Sequence, residues 1–383
     1  MKYIPYGKQF IDQQDIDEVI AVLKGDFITQ GPKIVEFEEA LARYCSARYA
    51  VVFNSGTSAL HAAYFSVGLK EQDQFLTSPN TFAATSNAGL LLGAKPVFVD
   101  VEKTTGNMDP SLIDEEITEQ TRLIVPVHYA GHPADMKSIG EVARKHGLFI
   151  VEDACHALGA RYLGIKVGSC AYSDATVFSF HPVKHITTGE GGAVLTNQKD
   201  LYDRLNLFRS HGIVKEGFSQ EAPGDWYYEM KILGCNYRLT DFQAVLGRSQ
   251  LRKLDAFVKR RREIADKYNK TLQGNPYFDL PEEKQYALSS YHLYSIRVKE
   301  DYKIQKREVF NLLRRKGLGV QVHYIPVYLH PYYRGLGYGK ALCPIAEDFY
   351  EREISIPIYP SLKDEDVDVV IDVLMRICDV LAS

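Results

Sequence analysis

Five apolar runs punctuate the first half of the chain: YAVVF (49–53), PVFVDV (96–101), LIVPVH (123–128), LFIVED (148–153) and ATVFSF (175–180). Most are continuous and rich in Val, Ile and Phe. A strand with one wet face alternates apolar and polar residues, whereas a continuous run suits a strand covered on both faces. Helix-like stretches lie between them, such as TSALHAAYFSVG (57–68) and DMKSIGEVARKHG (135–147). The second ends in basic residues and a glycine, a helix stop. Strand–helix alternation with doubly buried strands requires an α/β domain with a mostly parallel sheet. In such sheets ligands gather at the carboxyl ends of the strands.

The character changes near residue 250. LRKLDAFVKRRREIADKYNKTL (251–272) reads as a long charged helix. Its basic run Lys259 to Arg262 is interspersed with Asp255, Glu263 and Asp266, so it reads as a solvated face rather than a nucleic-acid patch. A strand-like YHLYSIRV (291–298), an amphipathic helix (304–317), a strand GVQVHY (319–324) and a terminal helix (364–382) follow. The last carries acids in its first turn, where they complement the helix dipole. The expected architecture is a large domain over 1–250 and a smaller α/β domain over 251–383.

The net charge of −4 supplies no global basic field for nucleic acid. Cys45, Cys155, Cys170, Cys235, Cys343 and Cys378 form no CxxC pair and read as reduced thiols of a cytoplasmic protein. MKYIPYGKQFIDQQD lacks an apolar signal core, and no apolar run reaches membrane-spanning length, so no membrane partner is expected.

Four features fall at strand ends. In NSGTSALH (54–61), Gly56, Thr57 and Ser58 open a helix after a strand. Free backbone amides and two hydroxyls there make a phosphate site, or else Ser55 or Thr57 is an ordinary helix cap. In LFIVEDACHALGA (148–160), Asp153 ends a buried strand, a costly place for an acid without a partner. It meets a cation, or it is a cap or structural ion pair. His156 follows, read by itself as a packed histidine. In SPNTFAATSNAG (78–89), Phe82 stacks on a flat ring or packs in the core. In FSFHPVKHITTGEGG (178–192), Lys184 follows Ser179 in a short loop. An amine in a partly desolvated site loses its charge more readily, and the neutral amine is the nucleophile. Together these fit pyridoxal phosphate, which needs an amine for its aldehyde, an acid for its ring nitrogen, a phosphate cradle and a stacking face.

At these residues the chain resembles the DegT/DnrJ/EryC1/StrS family of pyridoxal-phosphate sugar aminotransferases. The resemblance runs nearly end to end, through GDFITQGPKIVEFEEAL, NSGTSALH, VHYAGHPADM, EDACHALGA, FSFHPVKHITTGEGG, FRSHG, GCNYRLTDFQAVLG and QVHYIPV. It implies the type I aminotransferase fold and a homodimer with shared active sites. Lys184 would bond to the cofactor and shuttle protons, Asp153 would pair with the pyridinium, and His156 would sit by the ring and its hydroxyl. Gly56, Thr57, Ser58 and Ser179 would hold the phosphate, joined by Asn236 of GCNYRLTD from the second subunit, and Phe82 would cover the ring.

Within the family, FRSHGIV, QVHYIPVY and AEDFYEREISIP resemble the subgroup that aminates UDP-4-keto-6-deoxy-N-acetylhexosamine on the route to pseudaminic acid. The resemblance implies L-glutamate as donor. It places Tyr6, Asp26, Phe27, Ile28, Thr29, His323, Tyr324, Ile325 and Pro326 around the nucleotide sugar, with the segment 1–30 contributing. The chain has SGTS where that subgroup often has SATS, and TTGEGG where it often has TTAEGG. Related dehydratases carry a histidine at the position of Lys184, so the lysine points to amination. A cofactor-binding sensor without turnover is the reading from another class. His181 and His185 have i,i+4 spacing, but Pro182 intervenes and no third ligand is evident, so no metal is expected. GLGYGK (335–340) follows no apolar strand and reads as a Gly/Tyr surface loop.

Overall fold

The computed structural model describes residues 3–381, with backbone alone at residue 304 and residues 378–381. A seven-stranded sheet runs in the order Tyr49–Phe53, Gly192–Thr196, Ala175–Ser179, Phe149–Asp153, Thr121–Val125, Gln74–Thr77, Lys95–Phe98. All strands run parallel except Gly192–Thr196, which is antiparallel to both neighbours.

The alternation of side chains explains the continuous apolar runs. Val51, Phe53, Val177 and Val194 point to one face, under the helix Gly56–Ser66. Ala50, Val52, Phe178 and Leu195 point to the other, under the helix Pro32–Cys45. Each buried Val or Phe contributes about 1.5–3 kcal/mol, so the middle of each strand has no room for chemistry. The acids Glu152 and Asp153 occur only where their strand ends.

The strand Gly192–Thr196 escaped the sequence reading because it begins inside the glycine-rich motif. It turns the lysine segment into a hairpin loop: Phe180 N–H donates to Gly191 O at 2.8 Å, closing residues 181–190 between two antiparallel strands. A Cβ at Gly192 would stand 2.5 Å from the Ser55 carbonyl oxygen, so this strand packs against the neighbouring strand–helix turn only as glycine.

A second sheet comprises Phe278–Asp279, Tyr294–Val298 and Glu353–Ile356. It shares a core with the helices Leu254–Leu272 and Asp364–Leu381 through Tyr268, Ile296, Ile354, Val367 and Leu374. Ile4 joins this core from the other end of the chain. The expected strand 319–324 does not form. Gly317 O and Gly319 N–H bond Ile4, while Gln321 exchanges bonds with Ser355, so the segment divides its hydrogen bonding between two partners. The third strand is instead Glu353–Ile356, from AEDFYEREISIP.

The basic run is a second correction. Only Lys259 is exposed, because the guanidiniums of its neighbours find partners in the packed chain. Arg261 is buried and donates to the carbonyls of Tyr291, His292 and Ile358. Burial pushes its pKa down to about 9. Arg262 pairs with Glu283, and Arg260 with Asp364. Tyr338 of GLGYGK is likewise anchored, its hydroxyl donating to Pro96 O at 2.6 Å. Cys45, Cys155, Cys170, Cys235 and Cys343 are free thiols, and the side chain of Cys378 lies outside the described residues, as does Ala382 of the terminal helix. No helix among the described residues is long and apolar enough to cross a membrane.

Candidate active site

Five strand ends open onto one cavity of about 510 Å³, at the carboxyl edge where a parallel sheet gathers its ligands. Gly56, Phe82, Val127, Asp153 and Ser179 each reach it just after, or at, the end of a different strand. Lys184 enters from the hairpin loop, and His323 and Tyr324 enter from the C-terminal part of the chain.

One wall is the N-terminus of the helix Gly56–Ser66. Ser55 is the cap: its hydroxyl accepts the Ser58 amide at 3.1 Å, and the Ser58 hydroxyl accepts the Ser55 amide at 3.0 Å. That reciprocal cap leaves the amides of Gly56 and Thr57 for a ligand, at the positive end of the helix dipole. The cap thus falls on Ser55, not on Thr57. Ser58 does not line the cavity; its hydroxyl donates to Asn54 Oδ1 at 2.7 Å. Ser179 completes the wall. A Cβ on residue 56 would lie 2.9 Å from Ser179 Cβ and 3.1 Å from its Oγ, so glycine keeps the cradle open. Gly56→Ala is expected to weaken cofactor affinity by roughly 10–100-fold, the worth of one hydrogen bond to a charged group. Equilibrium dialysis against pyridoxal phosphate measures it, and an unchanged affinity would remove the cradle from this wall.

Asp153 is 5% exposed. Its Oδ2 accepts the Thr85 hydroxyl at 2.6 Å, and its Oδ1 accepts the Cys155 amide at 3.1 Å. Thr81 backs Thr85 at 2.7 Å. No side-chain cation pairs with Asp153 among the described residues, which leaves the structural ion pair without support. The amine of Lys184 opens into the same cavity. Burial lowers its pKa, against the opposing influence of Cys155 and Asp153. The Nε2 of His156 meets the Tyr324 hydroxyl at 3.1 Å, and its buried Nδ1 has no partner among the described residues. Burial, reinforced by Lys184, His323 and His185, holds this imidazole far below its usual pKa, so it is neutral.

Phe82 is 63% exposed above the cavity, which argues against the core-packing reading. The set fits a flat phosphorylated ring: helix-terminal amides and hydroxyls, a fixed acid, an amine and an uncovered aromatic side chain line one cavity. Tyr6 also lines the cavity, its ring 5.5 Å from that of His323. Thr85, Thr81, Cys155 and Glu190 were missed from sequence. Thr85 had a signal, since it stands three residues after Phe82 at the start of a helix.

Other expected residues stand elsewhere in the protomer. Asp26, Phe27, Ile28 and Thr29 do not line this cavity. Asp26 and Phe27 border a separate surface hollow beside Asp241, and Thr29 bridges Thr240. Asn236 is exposed in a loop near Asn54. Ile325 is exposed, and Pro326 is buried, outside the cavity lining. His185 turns away, with Nε2 at 3.1 Å from Ser290 O, so it does not face a ligand together with His181.

The DegT/DnrJ/EryC1/StrS aminotransferase family matches residues 9–375. The chain is 43% identical to a UDP-4-amino-4,6-dideoxy-N-acetyl-beta-L-altrosamine transaminase of Campylobacter jejuni, over 98% of both chains. It is 38% identical to the spore coat polysaccharide biosynthesis protein SpsC of Bacillus subtilis, over 98% of this chain and 97% of that one. Among solved structures, the Helicobacter pylori PseC, an aminotransferase involved in the biosynthesis of pseudoaminic acid, superposes with a TM-score of 0.93 at 36% identity. That match covers 99% of this chain and 100% of PseC. The fold is the type I fold of the pyridoxal-phosphate-dependent aminotransferases. The chain belongs to the DegT/DnrJ/EryC1/StrS aminotransferase family and is a pyridoxal-phosphate-dependent sugar aminotransferase.

Proposed function

We propose that the protein transfers an amino group to UDP-2-acetamido-2,6-dideoxy-beta-L-arabino-hexos-4-ulose, with L-glutamate as donor, in the biosynthesis of pseudaminic acid. The observation that carries the transamination is that Lys184 and Asp153 line one cavity together with Ser179 and with Gly56 and Thr57 of a helix N-terminus. The choice of sugar is supported by the 43% identity to the Campylobacter jejuni transaminase.

Pyridoxal phosphate supplies an electron sink for proton removal at the carbon bearing nitrogen. The chain's residues do the rest. Lys184 Nζ, desolvated and so more readily neutral, takes and returns the proton. The Asp153 carboxylate, aimed by Thr85 and the Cys155 amide, keeps the ring nitrogen protonated. Gly56, Thr57 and Ser179 would hold the phosphate, Phe82 would cover the ring, and His156 would sit by the ring and its hydroxyl. Tyr6, His323 and Tyr324 contact the sugar nucleotide.

The reading includes a cytoplasmic homodimer, with the chain divided near residue 250 into a cofactor domain and a smaller domain. A second subunit would bring Asn236 to the phosphate, and Asp26 to Thr29, Ile325 and Pro326 would belong to the sugar-nucleotide site. The solvent-facing Phe27, Ile28, Trp226 and Leu233 support an interface, being 52–84% exposed in one protomer.

The Bacillus subtilis relative favours a second reading, in which another keto sugar is the acceptor. Mass analysis of products from a panel of UDP- and dTDP-4-keto sugars decides. Amination of the UDP-N-acetyl sugar is the expected result. A preference for dTDP substrates would overturn the pseudaminate assignment, and absence of turnover with every sugar would leave a sensor.

A further inference from the structure

Behind the cavity wall lies a buried carboxylate that the chemistry above does not use. Glu353 is fully buried in the strand Glu353–Ile356, and no salt bridge reaches it among the described residues. Residues two apart on a strand share a face, so Ser355 stands beside it. Glu353 Oε1 accepts the Ser355 hydroxyl at 2.6 Å and the Ser295 hydroxyl at 3.0 Å, and Oε2 accepts the His323 amide at 2.7 Å. Three donors converge on an acceptor-only group, as an ionised carboxylate requires. Ser355 has one proton and directs it at Glu353. Its oxygen therefore accepts from the His323 ring, whose Nδ1 lies 2.8 Å away. Tyr129 fixes the His323 carbonyl at 2.6 Å.

His323 lines the cavity and its Nδ1 is taken, so Nε2 is the ring atom left for a ligand. We propose that Glu353 and Ser355 are positioning residues that hold His323 as the Nδ1–H tautomer. Nε2 then presents a hydrogen-bond acceptor to a hydroxyl or amide N–H of the nucleotide sugar. The inference rests on the function proposed above for this cavity.

The surroundings make the tautomer, rather than the charge, the variable. Burial, with Lys184 nearby, pushes the His323 pKa down to about 3, so the ring is neutral in ordinary buffers. Glu353 is pushed up to about 7 by burial, with Lys306 and its hydrogen-bond donors acting the other way. Lys306 itself falls to about 8, chiefly by burial, opposed by Glu353 and Glu351. Arg297 faces Glu353 from the paired strand, and Tyr129 and Tyr324 feel its charge. When Glu353 takes up a proton as pH falls through about 7, it can donate to Ser355. Ser355 then donates to Nδ1, and the ring proton leaves for Nε2, turning the acceptor in the cavity into a donor.

The test compares Glu353→Gln, Ser355→Ala and Ser355→Thr in the cofactor-loaded protein, following the donor and sugar half-reactions separately. For Glu353→Gln and Ser355→Ala, KM for the UDP-4-keto sugar should rise about 3–10-fold, the worth of one oriented neutral hydrogen bond. kcat and the donor half-reaction should change less than twofold. Ser355→Thr, which keeps the hydroxyl, should restore KM. In the wild type KM should rise as pH falls through about 7, and Glu353→Gln should abolish that inflection. Nitrogen-15 NMR of histidine-labelled protein near pH 8, with His323 assigned by its loss in His323→Gln, should show the proton on Nδ1. A proton on Nε2, or equal losses in both half-reactions, overturns the proposal. If the wild type aminates no UDP sugar, the proposed function fails instead, and the tautomer still decides this inference.

Discussion

Lys184→Ala is expected to lower turnover by at least about 10⁴-fold, the upper range for loss of a positioned acid–base group, with loss of the nucleophile added to it. The side chain serves no structural bond that alanine would break. Its amine makes no hydrogen bond or ion pair among the described residues, and it points into the cavity. The surrounding loop is held by other groups: the Thr187 hydroxyl donates to Phe180 O, and the Thr188 hydroxyl to Glu190 O. The variant should therefore keep its melting temperature and its noncovalent affinity for pyridoxal phosphate while losing activity. Borohydride reduction of the wild type should fix the cofactor to the peptide containing Lys184, and the variant should take no label. Turnover within tenfold of the wild type would sink the assignment.

Asp153→Asn separates two roles that geometry alone superimposes. Asparagine keeps the shape and still accepts the Cys155 amide, so a residue that merely capped the turn would tolerate the change. The charge opposite the cofactor nitrogen is lost, and the amide nitrogen now meets the Thr85 hydroxyl that the carboxylate accepted at 2.6 Å. The expected loss in kcat is about 10²–10³-fold, the range for removing one preorganised electrostatic contact in a water-poor site. Thermal unfolding with bound cofactor should move little. A loss in kcat of less than about tenfold would return Asp153 to a structural role.

Much of this was legible in the chain. The doubly buried strands Tyr49–Phe53, Phe149–Asp153 and Ala175–Ser179 announced themselves because burial on both faces excludes polar residues from mid-strand. Asp153 was conspicuous for the same reason, as an acid at the end of such a run. The strand Glu353–Ile356 was not delimited, since it is short and directly follows a helix without a turn signal. Ser58 read in sequence as a phosphate hydroxyl beside Thr57, and only the fold shows it engaged as the reciprocal capping partner of Ser55. Arg261 looked like one charge of a solvated run, because a helix period alone cannot tell which turn meets three free carbonyls.

The sequence by itself determined the α/β class, the lysine, the acid and the helix terminus, because each depends on local pattern: period, strand ends and unpaired amides. Tertiary structure decided which of them meet. Gly56 and Ser179 are far apart in the chain, and their close approach depends on how the sheet orders its strands. Thr85 became the group that aims Asp153, and Glu353 came to stand behind His323 through Ser355, only once the chain was packed. A buried polar group must find its hydrogen-bond partner wherever the fold delivers one, and no local pattern records that address.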